Sequence, residues 1–297
     1  MRRHVIVGVL AGVAVVAAMS APTNGPDQDP MGDWHLVVLG IAQDGGIPQL
    51  GCEQPLCQSI RSGQRKAERV ASLGLVNRLL KKSYVFDATP DFPSQVQSLT
   101  GGQLPDGIFL THAHIGHYTG LMYLGREAAD ASNVPVYGTD RMTTFLRTNG
   151  PWSLLVSRNN IELHTLPIGQ RIDLGDGIRV TAYPVPHGDE FTDTVGFVIE
   201  GPKKKVLYIP DIDDWHKWGR DIRDMVEHVD VAFVDGTFAS PDEVTGRSRD
   251  SNPHPLMRVT RDLLRGVHAS VWFIHLSHTN KEIDANDVAT DGMEFIM

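Results

Sequence analysis

The sequence predicts an α/β protein in which mixed β-sheets are covered by helices. Its apolar residues come in short runs that Gly, Pro and Asp interrupt. The early runs are arranged like β-hairpins, whereas the later ones alternate with segments of helical spacing. Hydrophobic residues make up 41% of the 297 residues, which is enough to build a sizeable core. These observations favour a layered α/β sandwich in one large domain.

The elements follow from the apolar pattern in chain order. Apolar runs of strand length predict the strands Trp34–Gly40, Ala71–Val76, Ser83–Asp87, Gly107–Leu110, Val134–Tyr137, Arg179–Val185, Thr194–Glu200, Lys205–Ile209, Val231–Val234 and Val271–Ile274. Apolar residues three or four apart predict the helices Leu121–Ala129, Arg141–Arg147, Asp221–His228 and Leu256–Leu264. Polar turns separate the hairpin strands, as at Gly201–Lys204.

The first 20 residues are predicted to be a signal peptide. Arg2 and Arg3 precede an apolar run of about 14 residues, which is short of the roughly 20 needed to cross a bilayer. Residues 21–32 are predicted to be a flexible leader, and residues 33–297 a catalytic domain. We therefore expect a periplasmic or secreted protein without stable membrane association after cleavage. An uncleaved membrane anchor is the alternative.

The net charge limits the kinds of partner that the protein is expected to bind. The formal net charge of -9 argues against a nucleic-acid binder, because electrostatic binding to nucleic acid needs a basic face. A small-molecule substrate is the expected partner, and the sequence leaves the oligomeric state open.

Cys52 and Cys57 are the two cysteines. A disulfide between them is favoured, with a thiolate pair in a metal site or free thiols as alternatives.

Three histidines directly follow the predicted strand Gly107–Leu110, in the heptapeptide Thr-His-Ala-His-Ile-Gly-His. Imidazole is the commonest neutral metal ligand near pH 7. His112 and His114, one residue apart, reach a common ion only from an extended or turning backbone, and a strand end supplies that backbone. His117 can then face the same ion or a second one. A metal site is preferred over a polar loop that is histidine-rich by chance.

More polar residues follow later apolar strands. They are His187, Asp211, His275 and His278. Strand ends meet at one rim of a layered sheet, where open α/β sites form. A lone histidine at such a position is more often structural, but the recurrence at successive strand ends favours a shared site. Several imidazoles and one carboxylate at one rim can hold two cations, with the carboxylate between them.

In these residues the chain resembles the metallo-β-lactamase superfamily. Within that superfamily it resembles the pyrroloquinoline-quinone biosynthesis protein B branch. The superfamily signature is H-x-H-x-D-H, followed by a lone His, a lone Asp and a last His. The segments that match the branch are Val38–Gly40, Gly45–Gln49, Cys52–Cys57, Asp87–Asp91, Leu207–Asp211, Val234–Phe238, Phe273–His275, Thr279–Asn280 and Asp291–Glu294. The resemblance implies a four-layer αββα sandwich.

The resemblance also implies six metal ligands. His112, His114 and His187 are expected to hold the first metal ion. His117 and His275 are expected to hold the second, and Asp211 is expected to bridge the two. The expected cofactor is one or two Zn²⁺ ions, with Fe or Mn as alternatives. Asp87 matches an acidic residue that braces the histidine loop, although a plain turn residue is an equal alternative. His278 can replace or support His275, which is preferred because it ends its apolar run.

The chain departs from the resemblance in two respects. Gly116 stands where the superfamily has a metal-binding Asp, which predicts a second site that is weak, empty or occupied by a softer metal. Members of the protein B branch generally lack the first histidine pair and keep that acidic residue, whereas this chain does the reverse. Together with the predicted export, this difference suggests an exported relative that acts on a different substrate.

A metal-dependent hydrolase is the favoured function, acting on an ester, lactone or phosphodiester bond. Asp211 is expected to hold the nucleophile, and His278, Asp189 and Asp91 are candidate general bases. A non-haem iron oxygenase or oxidase is the first alternative. A non-catalytic, metal-stabilised binding protein is the second.

The remaining conspicuous residues have two interpretations each. Trp215 and Trp218 form either a substrate wall or a packing cluster. Gln43–Gly46 is either the mouth of a pocket or a simple glycine turn. Five histidines are expected to be ordinary surface or structural residues: His35, His164, His228, His254 and His268.

Overall fold

The computed structural model describes Met1 and residues 32–188, 190–244 and 253–297. The predicted signal peptide beyond Met1, and the predicted leader up to residue 31, lie outside these residues. The strands are β1 His35–Gly40, β2 Ser72–Asn77, β3 Lys82–Phe86, β4 Gly107–Phe109, β5 Val134–Gly138, β6 Ile161–Thr165, β7 Arg171–Gly175, β8 Ile178–Pro184, β9 Val195–Glu200, β10 Lys205–Ile209, β11 Val231–Asp235, β12 Ser270–Ile274 and β13 Glu294–Ile296. The α-helices are α1 Pro55–Arg61, α2 Phe92–Thr100, α3 Ile115–Tyr118, α4 Asp140–Thr148, α5 Trp152–Ser157, α6 Ile222–Glu227 and α7 Met257–Leu263.

Two mixed sheets form the centre of the fold. The first has the order β13-β1-β2-β3-β4-β5-β6 and the second β12-β11-β10-β9-β8-β7. In the first sheet, β1 to β3 are antiparallel and β3 to β6 are parallel. In the second, β7 to β10 are antiparallel and β10 to β12 are parallel. Each sheet therefore has a parallel half, whose strand ends share one edge.

Alternation along the strands produces the layers. In β1, Leu36 and Val38 belong to the large core between the two sheets, whereas Val37 and Leu39 face a second core under the helices. Successive strand side chains point to opposite faces, so one strand supplies both cores. Helix α2 packs on β1 and β2, and α4 and α5 pack beside β5 and β6. Residues of α6 and α7 join the core of the second sheet, which gives the αββα order.

The predicted strands agree with the structure to within one residue at each end, and so do three of the four helices. The helix predicted at Leu121–Ala129 is wrong. A short 3₁₀ helix over Thr119–Leu124 takes its place and stops at Gly125, whose backbone is extended (φ -70°, ψ 171°). The apolar pattern does not predict β6, β7 or β13, which are short or strongly exposed along much of their length.

The structure decides between the alternatives that the sequence left open for the two cysteines and for the two tryptophans. Cys52 and Cys57 form the favoured disulfide at the start of α1. Trp215 and Trp218 pack into the core, where their indole N–H groups donate to Thr260 Oγ1 at 2.8 Å and to the Pro184 carbonyl at 2.7 Å. The packing interpretation of the two tryptophans is therefore confirmed.

Candidate metal centre

The parallel strands of both sheets end at a common rim. Asp87 follows β3 and His112 lies just beyond β4, in the first sheet. Asp211 follows β10, Asp235 ends β11 and His275 follows β12, in the second sheet. Parallel strands present their carboxyl ends at the same edge. The fold therefore brings Asp87 and His275, which are 188 positions apart in sequence, to the same rim.

A first donor group consists of His112, His114, His187 and Asp211, whose ligand atoms all lie within 4.8 Å of one another. The His187 Nε2 atom is 3.2 Å from Asp211 Oδ2 and 3.2 Å from His114 Nδ1. His112 Nε2 lies 3.6 Å from the same Asp211 oxygen. Three imidazole nitrogens and one carboxylate oxygen thus surround a single point.

A second donor group consists of Asp44, His117 and His275, again within 4.8 Å of one another. His117 Nε2 lies 3.7 Å from Asp44 Oδ1. The Nε2 atoms of His117 and His275 are 3.7 Å and 3.6 Å from Asp211 Oδ2. Because that oxygen also faces the first donor group, Asp211 lies between the two groups.

The residues of both groups fit a cation. The Nε2 atoms of His112, His117 and His275 are buried without a hydrogen-bond partner, and these three side chains are fully buried. A buried polar atom with no partner costs about 1–3 kcal/mol. Three such atoms around one carboxylate are a costly arrangement for a protein alone, but a suitable one for a metal with nitrogen and oxygen ligands.

Outer carboxylates orient the imidazoles. Asp87 Oδ2 lies 2.8 Å from His117 Nδ1, while Asp87 Oδ1 accepts the Thr111 backbone N–H at 2.8 Å. Asp213 Oδ1 lies 2.9 Å from His187 Nδ1. Such contacts direct the opposite ring nitrogen toward the centre, which is how ligating histidines are usually held. Asp87 therefore makes the bracing contacts that its sequence position suggested.

His254 is a residue of the centre that the sequence analysis missed. Its side chain is buried, and its Nδ1 atom lies 2.8 Å from Asp235 Oδ2 and 3.3 Å from Asp211 Oδ1. Thr237 Oγ1 is 3.1 Å from His275 Nδ1 and so supports the neighbouring imidazole. His254 was expected to be an ordinary surface or structural histidine, and the structure places it beside the centre, with ligand atoms of His254, Asp211 and His275 within 4.8 Å of one another.

In the metal-free protein, the carboxylates and imidazoles shift one another's pKa. Burial opposes charge on His187, but Asp211 and Asp213 outweigh it and raise the pKa of His187 to about 11. Burial likewise opposes charge on His117, whose pKa the Asp87 carboxylate nevertheless raises to about 9. Burial, followed by the charge of His117, holds the pKa of His112 well below its usual value. A cation would therefore have to displace protons from two of the imidazoles.

A cavity of about 600 Å³ opens beside the second donor group. Asp44 belongs to both, because it lines the cavity and lies beside His117. Gln43 and Gly45 line the cavity, and the Gly46 N–H donates to the Gln43 carbonyl at 2.8 Å. The segment Gln43–Gly46 is therefore both a turn and the mouth of a pocket.

The proposed general bases occupy different places. His278 lines the cavity and belongs to neither donor group. Asp91 accepts the Val70 backbone N–H at 2.8 Å, at the start of α2, and contacts no residue of the donor groups. Asp189 lies outside the described residues.

The chain belongs to the metallo-β-lactamase superfamily, because residues 82–276 match the beta-lactamase superfamily domain. Over 89% of its length it is 28% identical to coenzyme PQQ synthesis protein B of Methylobacillus flagellatus, all of which is covered. The crystal structure of Zn²⁺-bound PqqB from Methylobacterium extorquens has a TM-score of 0.75 and 21% identity, over 89% of this chain and 100% of that one. A new diphosphatase from the PhnP family has a TM-score of 0.65 and 23% identity, over 89% and 97%. The predicted superfamily, the resemblance to PqqB and the αββα sandwich are confirmed.

These relatives correct the predicted location. PqqB proteins are generally cytoplasmic, so the prediction of a periplasmic, secreted or membrane-anchored protein is wrong. Apart from Met1, the residues 1–20 on which it rested lie outside the described part of the chain. Within the described part, no helix combines the length and the apolar character that a membrane span requires. The inference that export implies a different substrate loses its basis.

Proposed function

We propose that this protein is a metal-dependent hydrolase that cleaves an ester, lactone or phosphodiester bond in a small molecule. The observation that carries the proposal is the set of buried, unpartnered Nε2 atoms of His112, His117 and His275 around Asp211. A closed structural site would have no access for substrate, whereas this one adjoins a cavity large enough for a small molecule.

In this proposal, His112, His114 and His187 hold a Zn²⁺ ion together with Asp211. A bound divalent cation supplies a water of lowered pKa and polarises the oxygen of the scissile bond. In the metal-free protein, burial raises the pKa of Asp211, but the neighbouring histidines, His187 above all, outweigh it and hold that pKa well below the usual value. A bound cation would take the place of those charges and keep the carboxylate ionised, so that it could orient an attacking water by accepting a hydrogen bond.

His278 is our candidate for the proton transfer that completes hydrolysis. It lies on the cavity wall, on the loop that follows β12, three residues after His275. A cleaved ester or phosphodiester leaves an oxygen that must gain a proton, and an imidazole is suited to provide one near neutral pH. Of the two predicted bases that the structure describes, His278 lines the cavity and Asp91 does not.

Metal content and a hydrolysis panel test the proposal together. We expect the protein purified without added metal to contain zinc and to hydrolyse at least one of a panel of ester, lactone and phosphodiester substrates. His112→Ala should lose metal and reduce the rate about 100-fold or more, because an electrostatic contribution of this kind is of that size. His268→Ala is the control, since His268 is exposed beside Glu227.

Three results would contradict the proposal, each in a different way. Metal content near zero in the wild type would remove the metal site. Iron in place of zinc, with dioxygen uptake, would favour the oxygenase alternative, since histidines and a carboxylate also suit non-haem iron. Zinc-loaded protein that is inert across the whole panel would favour a non-catalytic binder.

A further inference from the structure

Gly116 is the position where the superfamily signature has an acidic metal ligand, and the structure shows what occupies the space. A Cβ atom built on Gly116 would lie 2.3 Å from Asp44 Oδ1 and 2.6 Å from Asp44 Cα. Both distances are far inside van der Waals contact. Any side chain at residue 116 would therefore have to displace the loop that carries Asp44.

Asp44 fills that space with a carboxylate of its own. Its Oδ1 atom accepts the Gly116 backbone N–H at 3.2 Å, which fixes the loop against the start of α3. The same oxygen is 3.7 Å from His117 Nε2. His117 and His275 are fully buried, and each has an unpartnered Nε2 atom in this second donor group.

We infer that Asp44 is the acidic ligand of a second divalent metal ion, held with His117, His275 and the shared Asp211. The inference rests on the proposed function, because it concerns the other half of the same centre. The carboxylate that the signature lacks at residue 116 is thus supplied from the loop after β1. Glycine at residue 116 is what allows that loop to approach.

This placement gives the second ion an open side. Asp44 lines the cavity and its side chain is 30% exposed, whereas His117 and His275 are fully buried. An ion beside Asp44 therefore faces the cavity, where a substrate would enter. Zinc that acts on a substrate can take a fifth ligand, so an ion held by four protein groups on its buried side would still accept an oxygen from the cavity.

The direct test is a substitution that removes the charge of Asp44 and keeps the shape of its side chain. Asp44→Asn retains an oxygen that can accept the Gly116 N–H but removes the negative charge. We expect the zinc content, measured by mass spectrometry after desalting, to fall from about two ions per chain to about one. In competition with a chromophoric chelator, the weaker ion should lose affinity by at least about tenfold, an effect that even supporting residues of metal sites produce.

A second variant removes no ligand atom. Gly116→Ala adds one methyl group that must push the Asp44 loop away. We expect it to lose the second ion while the first stays bound. Gly45→Ala is the matched control in the same loop, because its nearest contact would be the flexible Gln49 side chain at 3.3 Å. Its zinc content should equal that of the wild type.

The outcomes separate this inference from the proposed function. Two ions in the wild type and in Asp44→Asn, or one ion of unchanged affinity in both, would overturn the role of Asp44 and leave the first donor group intact. Wild-type protein without any zinc would overturn the inference and the proposed function together. Loss of the second ion in both Asp44→Asn and Gly116→Ala, but not in Gly45→Ala, is the result that supports it.

Discussion

The two donor groups on either side of Asp211 differ in where their ligands come from and in what surrounds them. The first takes its imidazoles from the loop after β4 and the loop after β8, and it reaches the surface through His114, whose side chain is 32% exposed. The second has two fully buried imidazoles and opens to the cavity only through Asp44. The difference shows that one carboxylate, Asp211, can lie between a donor group made of imidazoles and a donor group that combines imidazoles with a second carboxylate.

The largest expected effect comes from removing the shared carboxylate. Asp211→Asn should lose both ions and lower kcat/KM by about 10³-fold or more, because the change touches both donor groups at once. Zinc content and steady-state rates measure this. Asp214→Asn is the control, since Asp214 caps a short 3₁₀ helix nearby by accepting the His216 N–H at 2.9 Å. An Asp211→Asn variant that keeps two ions would contradict the bridging role.

The next largest effect should separate catalysis from metal binding. His278→Ala is expected to lower kcat by about 100-fold, the lower end of what proton transfer by a side chain contributes. Its zinc content should stay at the wild-type level, because His278 belongs to neither donor group. Loss of zinc in this variant, or an unchanged kcat, would show that His278 is not the residue that moves the proton.

The sequence alone predicted the first donor group better than the second. His112, His187 and Asp211 of the first group, and His275 of the second, each follow a strand that ends at the common rim, which gathers such positions whatever the loops do. Asp44 lies in a glycine-rich loop after β1, and its approach depends on the missing side chain at residue 116. That is a long-range steric fact, which no local pattern contains.

His254 and the helix predicted at Leu121–Ala129 show two other limits of prediction from the sequence. His254 lies between two prolines and follows no apolar run, so its sequence gives no strand end to place it. The helix was predicted from apolar spacing, but the extended backbone at Gly125 ends it after a short 3₁₀ turn. The fold was easier to predict, because short buried apolar runs, bounded by Gly, Pro and Asp, mark most of its strands.

A smaller effect should distinguish the bracing of the two groups. Asp87→Asn is expected to weaken the ion held by the second donor group about 10- to 100-fold, because Asp87 orients His117 through a 2.8 Å contact. Chelator competition measures the affinity. Asp91→Asn is the control, since it lies four residues on and bonds to Val70 instead. Equal affinities in the two variants would remove the orienting role of Asp87.

The smallest expected effect is the number of protons that the protein releases when it binds metal. At pH 7, the raised pKa values of about 9 for His117 and about 11 for His187 keep both imidazoles protonated in the metal-free protein. Loading both donor groups should therefore release about two protons, and the metal affinity should rise as the pH increases from 7 to 9. Calorimetry in two buffers of different ionisation enthalpy measures the release.

The same shifts fix the pH dependence of folding without metal. The raised pKa values mean that both imidazoles add to stability below about pH 6.5. This contribution is lost as the pH rises through about 9 for His117 and about 11 for His187. A metal-free protein that gains stability over this interval would contradict the assigned charges.

Anomalous diffraction at the zinc edge, from crystals of the zinc-loaded protein, tests the central claim most directly. We predict two peaks, one among His112, His114 and His187 and the other among Asp44, His117 and His275, with Asp211 within ligand distance of both. A single peak elsewhere in the fold, or none at the rim of the two sheets, would contradict the account.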